Sequence, residues 1–164
     1  MPEPIRVLFV CLGNIVRSPL AETLFRLQVG QAGLGEKYEI DSAGTAAYHV
    51  GERPDARMRQ VAAEHAVKHD GRARQVREED FEDFDLIIAM DASNKSNLEK
   101  LTQSPQQVKK IHMMREFDPQ VESDLDVPDP YYGGMNGFEF VFQMIERSTQ
   151  ELLRQMEEGE VKVG

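Results

Sequence analysis

The sequence predicts an α/β protein: a single three-layer domain whose central four-stranded parallel sheet is flanked by helices, Rossmann-like in its winding. Three observations carry this expectation. Short apolar runs such as "IRVLFV" and "DLIIAM" read as strands buried on both faces. Amphipathic segments alternate with them, as βαβ winding requires. The 164 residues suffice for one core, and no repeat or linker divides them.

Taken in order, Ile5–Val10 is the first strand. Pro19–Val29 is a helix with Leu20, Leu24 and Leu27 at helical spacing, Pro19 in its first turn and Ser18 as its N-cap. Tyr38–Asp41 follows as a short strand, and Pro54–His65 as a helix. Ala73–Val76 has the look of a further short strand and Glu78–Phe84 of a short helix. Asp85–Met90 is the next buried strand, Ser93–Leu101 a helix, and Val108–Met113 the last strand. Phe117–Gly137, rich in Asp, Pro and Gly, is a long loop. Phe138–Met156 places Phe138, Val141, Phe142, Ile145 and Leu152 on one helical face. The domain is expected over residues 1–157, with 158–164 a disordered tail.

Composition narrows the function. A net charge of −10 argues against a nucleic-acid partner, so any functional positive charge must be local. No apolar run approaches the length of a membrane span, and "MPEPIRVLFV" lacks the pattern of a secretory signal, so a cytoplasmic setting is expected. A single cysteine excludes an internal disulfide and a multi-cysteine metal site; neither a metal nor a cofactor is expected.

That cysteine, Cys11, ends the first strand and opens "CLGNIVRS". Ligands of open α/β sheets bind beyond the carboxyl ends of the strands, where Cys11, Asp91 and the loop after Met114 would lie. A tight loop running into a helix N-terminus is an anion-binding design. Gly13 permits a left-handed turn and Asn14 tolerates one. Residues Leu12, Gly13, Asn14, Ile15, Val16 and Arg17 can wrap a tetrahedral anion, with Arg17 gripping two of its oxygens and Ser18 donating to the sulfur. The same field favours the thiolate of Cys11, a nucleophile in line with a bound phosphorus. A lone cysteine ending a strand is more often a core residue; the Gly-Asn pair, the arginine and the Ser-Pro helix start reverse that balance here. No Gly-Lys-Ser/Thr follows, so this is not a nucleotide P-loop. Read alone, Asp118, Asp124, Asp126 and Asp129 are four loop carboxylates of equal standing. Asp91 reads either as a partner of Arg17 or as a helix cap.

"VLFVCLGNIVRSPLAE" resembles the signature of the low-molecular-weight protein tyrosine phosphatases, Cys, five residues, Arg, Ser. "DSAGT" from Asp41, "VGERPDAR" from Val50, "ARQV" from Ala73 with "DFEDFDLIIAMD" after it, and "DPYYGG" from Asp129 match in the same order, over about residues 5 to 155. The resemblance implies the phosphotyrosine protein phosphatase I-like fold and hydrolysis of protein phosphotyrosine through a phosphocysteine. It makes Cys11 the nucleophile, Arg17 the phosphate-binding arginine and Asp129 the general acid, later the base. It implies that Asn14, Ser18 and Ser42 support the loop and that Leu12, Ile15, Tyr48, Tyr131 and Tyr132 wall an apolar slot for the ring. Such a slot lets phosphotyrosine reach Cys11 and leaves phosphoserine short. Phosphotyrosine proteins or peptides are the expected partners, with inorganic phosphate as product and competing ligand. Family members carry reported phosphorylation at the tyrosine pair matched by Tyr131 and Tyr132. Two departures stand out. A family histidine of the loop network is replaced by Gly71, with His69 two residues away. The second cysteine that many members carry before the arginine is Val16.

Three rival functions remain. Arsenate reductase chemistry relays electrons through further cysteines, which this chain lacks. Protein arginine phosphatases resemble the chain but carry Thr where Ile15 stands, which favours phosphotyrosine. A non-catalytic phosphate-binding module would need neither Cys11 nor Asp129.

Overall fold

A computed structural model describes residues 3–163 of the chain. Strands β1 (Ile5–Cys11), β2 (Tyr38–Gly44), β3 (Leu86–Ala89) and β4 (Ile111–Met113) form one parallel sheet in the order β2-β1-β3-β4. Around them run α1 (Arg17–Gln31), α2 (Ala56–Glu64), α3 (Asp80–Asp83), α4 (Ala92–Glu99), α5 (Pro105–Val108) and α6 (Met135–Glu157). A 3₁₀ turn, Met114–Phe117, follows β4.

The alternation of side chains along β1 divides the core in two. Val7, Phe9 and Cys11 pack with residues of α1, α2 and α6. Leu8 and Val10 pack on the other face with Phe81, Phe84 and Leu98. The expected three layers are therefore present, and β1 lies at their centre. Because the chain runs from β1 outward to β2 and returns to place β3 on the opposite side, the crevice between the ends of β1 and β3 is the topological switch point. Cys11 ends β1 and Asp91 follows β3, so both lie at that crevice.

Several expected boundaries shift, each for a local reason. The first helix starts at Arg17 and has no side-chain cap, so Ser18 lies inside it rather than capping it. Its buried stripe follows Leu20, Leu24 and Ala21, Phe25, Val29, at four-residue steps, leaving Leu27 facing solvent. Ala73–Val76 contributes one isolated bridge, Gly44 to Gln75, and no strand. The Arg74 backbone N–H and side chain are drawn instead to Asn14, Asp41 and Asp80. The last strand is only Ile111–Met113, because Ser104 caps α5 by accepting from Gln107 N–H and turns residues 105–108 into helix. The last helix begins at Met135, three residues earlier than its apolar stripe suggests. Beyond it, Val161 packs against the larger core cluster.

Candidate active site

The loop from Cys11 to Arg17 is held from beneath by hydrogen bonds that fix each donor in turn. Asn14 takes a left-handed backbone, φ 57°, which a short polar side chain tolerates. Its Oδ1 accepts from the Arg74 N–H at 3.0 Å, which settles the orientation of the amide. Its Nδ2 then donates to Ser18 Oγ at 2.8 Å and to Ser42 Oγ at 3.0 Å. Ser42 in turn donates to Glu22 Oε1 at 2.6 Å. Ser18 Oγ, which accepts from Asn14, lies 3.0 Å from Cys11 Sγ and 3.4 Å from the Ala43 carbonyl, so the sulfur is the nearer partner of its hydroxyl.

The outer course of the loop is pinned as well. Cys11 and Leu12 carbonyls accept from the Thr45 and Ala46 N–H groups at 2.9 and 3.0 Å, and the Ile15 carbonyl from Asp55 N–H at 2.8 Å. Gly44 is required where β2 passes this loop, since a Cβ there would stand 2.7 Å from the Leu12 carbonyl oxygen. Among the described residues, the N–H groups of Gly13, Asn14, Ile15 and Val16 find no backbone or side-chain acceptor. Together with the uncapped start of α1, they form a set of free donors suited to an anion.

Arg17 is buried. Its Nη1 donates to Asp91 Oδ2 at 2.7 Å and to the Val127 carbonyl at 2.8 Å. Asp91 uses its other oxygen, Oδ1, to cap α4 by accepting from Asn94 N–H at 2.7 Å, so the two sequence readings of Asp91 hold together. The acidic loop is stapled to the sheet edge where Val127 N–H meets the Met90 carbonyl at 2.7 Å. This delivers Asp129, whose Oδ2 lies 3.6 Å from Arg17 Nη2. Its Oδ1 accepts from Tyr131 N–H at 3.0 Å.

The other loop carboxylates are occupied structurally. Asp118 is buried between Arg115 and Arg147. Burial pushes its carboxyl upward, but hydrogen bonds from Arg147, the Gln120 N–H and Arg115 prevail and hold it below the usual range. Asp126 accepts from Ala92 N–H, and Asp124 from Asp126 N–H.

A cavity of about 110 Å³ opens over this floor, lined by Cys11, Leu12, Gly13, Ile15, Val16, Arg17, Tyr48, His49, Asp129, Tyr131 and Tyr132. All five wall residues expected from the sequence are thus assembled. Leu12 (40% exposed), Tyr48 (75%) and Tyr132 (95%) form the outer rim, while Ile15 is buried. Tyr131 is braced by Arg57, whose guanidinium lies 5.2 Å from its ring centre and is itself paired with Asp55. Of the expected phosphate-loop residues, Asn14 and Ser18 lie beneath the cavity rather than lining it. Sequence reasoning missed Glu22, Arg74 and His49. His49 lies against Gly13 so closely that a Cβ there would come within 2.9 Å of it. The only sequence signal for Glu22 and Arg74 was their place inside "SPLAE" and "ARQV". His69 stays outside the network: it is buried against Thr23, with Nδ1 2.8 Å from Thr23 Oγ1.

Comparison with known proteins identifies the family and the fold. A family model described as low molecular weight phosphotyrosine protein phosphatase matches residues 6–162. A low molecular weight protein-tyrosine-phosphatase of Streptomyces coelicolor is 46% identical over 154 residues, 93% of this chain and 94% of that protein. The crystal structure of a protein tyrosine phosphatase from Entamoeba histolytica, with Hepes in its active site, superposes with a TM-score of 0.91 at 41% identity, covering 96% of this chain and 99% of that one. The Drosophila arginine phosphatase also superposes, at TM-score 0.86 and 34% identity, over 93% of this chain and 98% of that one.

Proposed function

The chain belongs to the low molecular weight phosphotyrosine protein phosphatase family, and from that premise we propose how its own residues hydrolyse protein phosphotyrosine. The reaction is that of a phosphoric monoester hydrolase. The Cys11 thiolate attacks phosphorus in line, and the aryl oxygen leaves opposite it, taking a proton from Asp129. Arg17 and the free N–H groups of the loop bind the equatorial oxygens, whose charge is fixed by donors already in place. Water then attacks the phosphocysteine, its proton passes to the Asp129 carboxylate, and inorganic phosphate leaves with the thiolate restored. Inorganic phosphate, as product, competes for the same loop.

One observation carries this reading. The guanidinium of Arg17, immobilised by Asp91, lies 3.6 Å from the Asp129 carboxylate in a cavity that Cys11 also lines. A phosphoryl group seated on Arg17 is thereby placed with the nucleophile and the acid in one small volume. Ile15, which walls that volume, is apolar and suits a phenyl ring better than a guanidinium, which favours phosphotyrosine over phosphoarginine. Ile15→Thr is expected to raise activity on phosphoarginine relative to phosphotyrosine.

The test is chemical trapping. Rapid quenching during turnover of an aryl phosphate should yield intact protein heavier by one phosphoryl group, on Cys11, and Cys11→Ser should lose both adduct and turnover. Turnover persisting in Cys11→Ser would overturn the mechanism.

A further inference from the structure

We propose that a groove beside the catalytic cavity selects phosphotyrosine peptides bearing a carboxylate side chain within two residues of the phosphotyrosine, with Arg72 and Arg53 as the specificity-determining residues; this rests on the phosphatase reading above. The groove encloses about 600 Å³ and is lined in part by Ile15, His49, Arg53, Asp55, Arg72 and Tyr131. Ile15, His49 and Tyr131 also line the catalytic cavity, so the two are continuous and the facing rings of His49 and Tyr131 form their shared wall. A peptide whose phosphotyrosine fills the cavity runs on at about 3.3–3.6 Å per residue, so its next one or two side chains fall at this groove.

The groove's chemistry is set by two guanidiniums. Gly51 N–H donates to the Ala73 carbonyl at 2.8 Å, and Ala73 N–H to the Glu52 carbonyl at 2.9 Å. This antiparallel clasp brings Arg53, just after it, and Arg72, just before it, to the same rim, where both are exposed. The acids that share the lining are already engaged. Both Asp55 oxygens are held by Arg57, and Glu52 Oε2 lies 2.8 Å from His49 Nδ1. Arg53 pairs with the exposed Asp70 at 3.2 Å, an arrangement an incoming carboxylate can replace. Arg72 forms no ion pair within 4.0 Å among the described residues, although its charge reaches the exposed Asp70 that Arg53 holds. In a chain of net charge −10, this places an available cation beside the one cavity where an acidic substrate must dock against a repulsive surface. An exposed pair of this kind is worth a modest discrimination, about two- to fivefold, and one that fades as salt is raised.

The experiment uses phosphotyrosine peptides identical except for Glu or Gln at each position from two before to two after the phosphotyrosine, alongside a small aryl phosphate. Expected is a higher kcat/KM for Glu than for Gln, by about two- to fivefold, at one or more of these positions. The preference should shrink at high salt and vanish in an Arg53→Gln/Arg72→Gln variant, while aryl phosphate turnover stays unchanged in that variant. No Glu preference in the unmutated protein, or a preference that survives both substitutions, overturns the proposal while leaving the phosphatase reading intact. Loss of aryl phosphate turnover in the double variant also overturns it, because the two arginines would then serve the cavity itself. Failure of the unmutated protein to turn over the aryl phosphate would overturn the phosphatase reading instead, and the proposal with it.

Discussion

Asp91 holds Arg17 with one carboxylate oxygen and caps α4 with the other, so the guanidinium that faces the cavity is fixed to a helix start on the far side of the switch point. The contact joins residues 74 positions apart in sequence and leaves Arg17 Nη2 directed towards Asp129.

Asp91→Ala should therefore lower activity on aryl phosphates by up to ~10²-fold, the scale of a misplaced catalytic group, and weaken inhibition by inorganic phosphate. Helix capping is lost as well, at about 1 kcal/mol. Asp91→Asn keeps an acceptor for the cap but removes the charge facing Arg17. It should retain most of the stability and still lose activity. Full activity in both variants would show that Arg17 is positioned without Asp91.

The four loop aspartates should separate cleanly. Asp129→Asn is expected to slow hydrolysis by ~10²–10⁴-fold for leaving groups that need protonation, with a smaller penalty for activated aryl esters, and to leave thermal stability near the original. Asp118→Ala should do the reverse, costing about 3–5 kcal/mol because Arg115 and Arg147 lose a buried partner, with an unaltered leaving-group dependence. A leaving-group series measured alongside urea unfolding checks both.

His69 sets a pH dependence of folding. Burial is the main cause, with the Arg59 charge adding to it, that its pKa falls from the ordinary 6.5 to about 4, and its Nε2 is buried without a partner among the described residues. Between those values the unfolded chain binds a proton that the folded chain refuses. Stability is thus fully present above pH 6.5 and declines as pH falls towards 4, by up to ~3 kcal/mol from this group. Carboxylates such as Asp118, held below the usual range, add a further loss that sets in below about pH 5. His69→Gln should flatten the decline in urea midpoint between pH 6.5 and 4; an unchanged slope would remove His69 from the account.

Oxidation should be damaging. Cys11 is the chain's only cysteine, and Val16 stands where the resembling family often has a second. Peroxide converts the thiolate to a sulfenic acid with release of hydroxide, and no internal thiol can then trap it. Excess peroxide is expected to carry it to irreversible sulfinic acid, with bound phosphate protecting. Val16→Cys should extend the period over which dithiothreitol restores activity. Intact mass and activity after reduction are the measurements; full recovery of the unmutated protein from prolonged excess peroxide would contradict this.

The sequence by itself determined the α/β class and the centres of the four strands, and it exposed the contiguous loop from Cys11 to Arg17, because these rest on local signals. Buried parallel strands read as apolar runs, and the phosphate loop is contiguous, so spacing alone exposes it. Asp129 was singled out only by the resemblance of "DPYYGG" to the family's motif, since charge and loop composition make it indistinguishable from Asp118, Asp124 and Asp126, and Asp118 also precedes a proline. Only the tertiary structure decided which of these is buried between two arginines, that Asp91 both pairs and caps, and that Ser18 serves the sulfur instead of the helix end. It also decided that Glu22 and Arg74 complete the support of Asn14, and that His69 stands apart from it. The physical reason is common to all of these. In each, a side chain has several partners in reach of its type, local and distant, and only the packing of the folded chain chooses among them, as it does in bringing Arg17 to Asp91, Arg74 to Asn14 and Arg147 to Asp118.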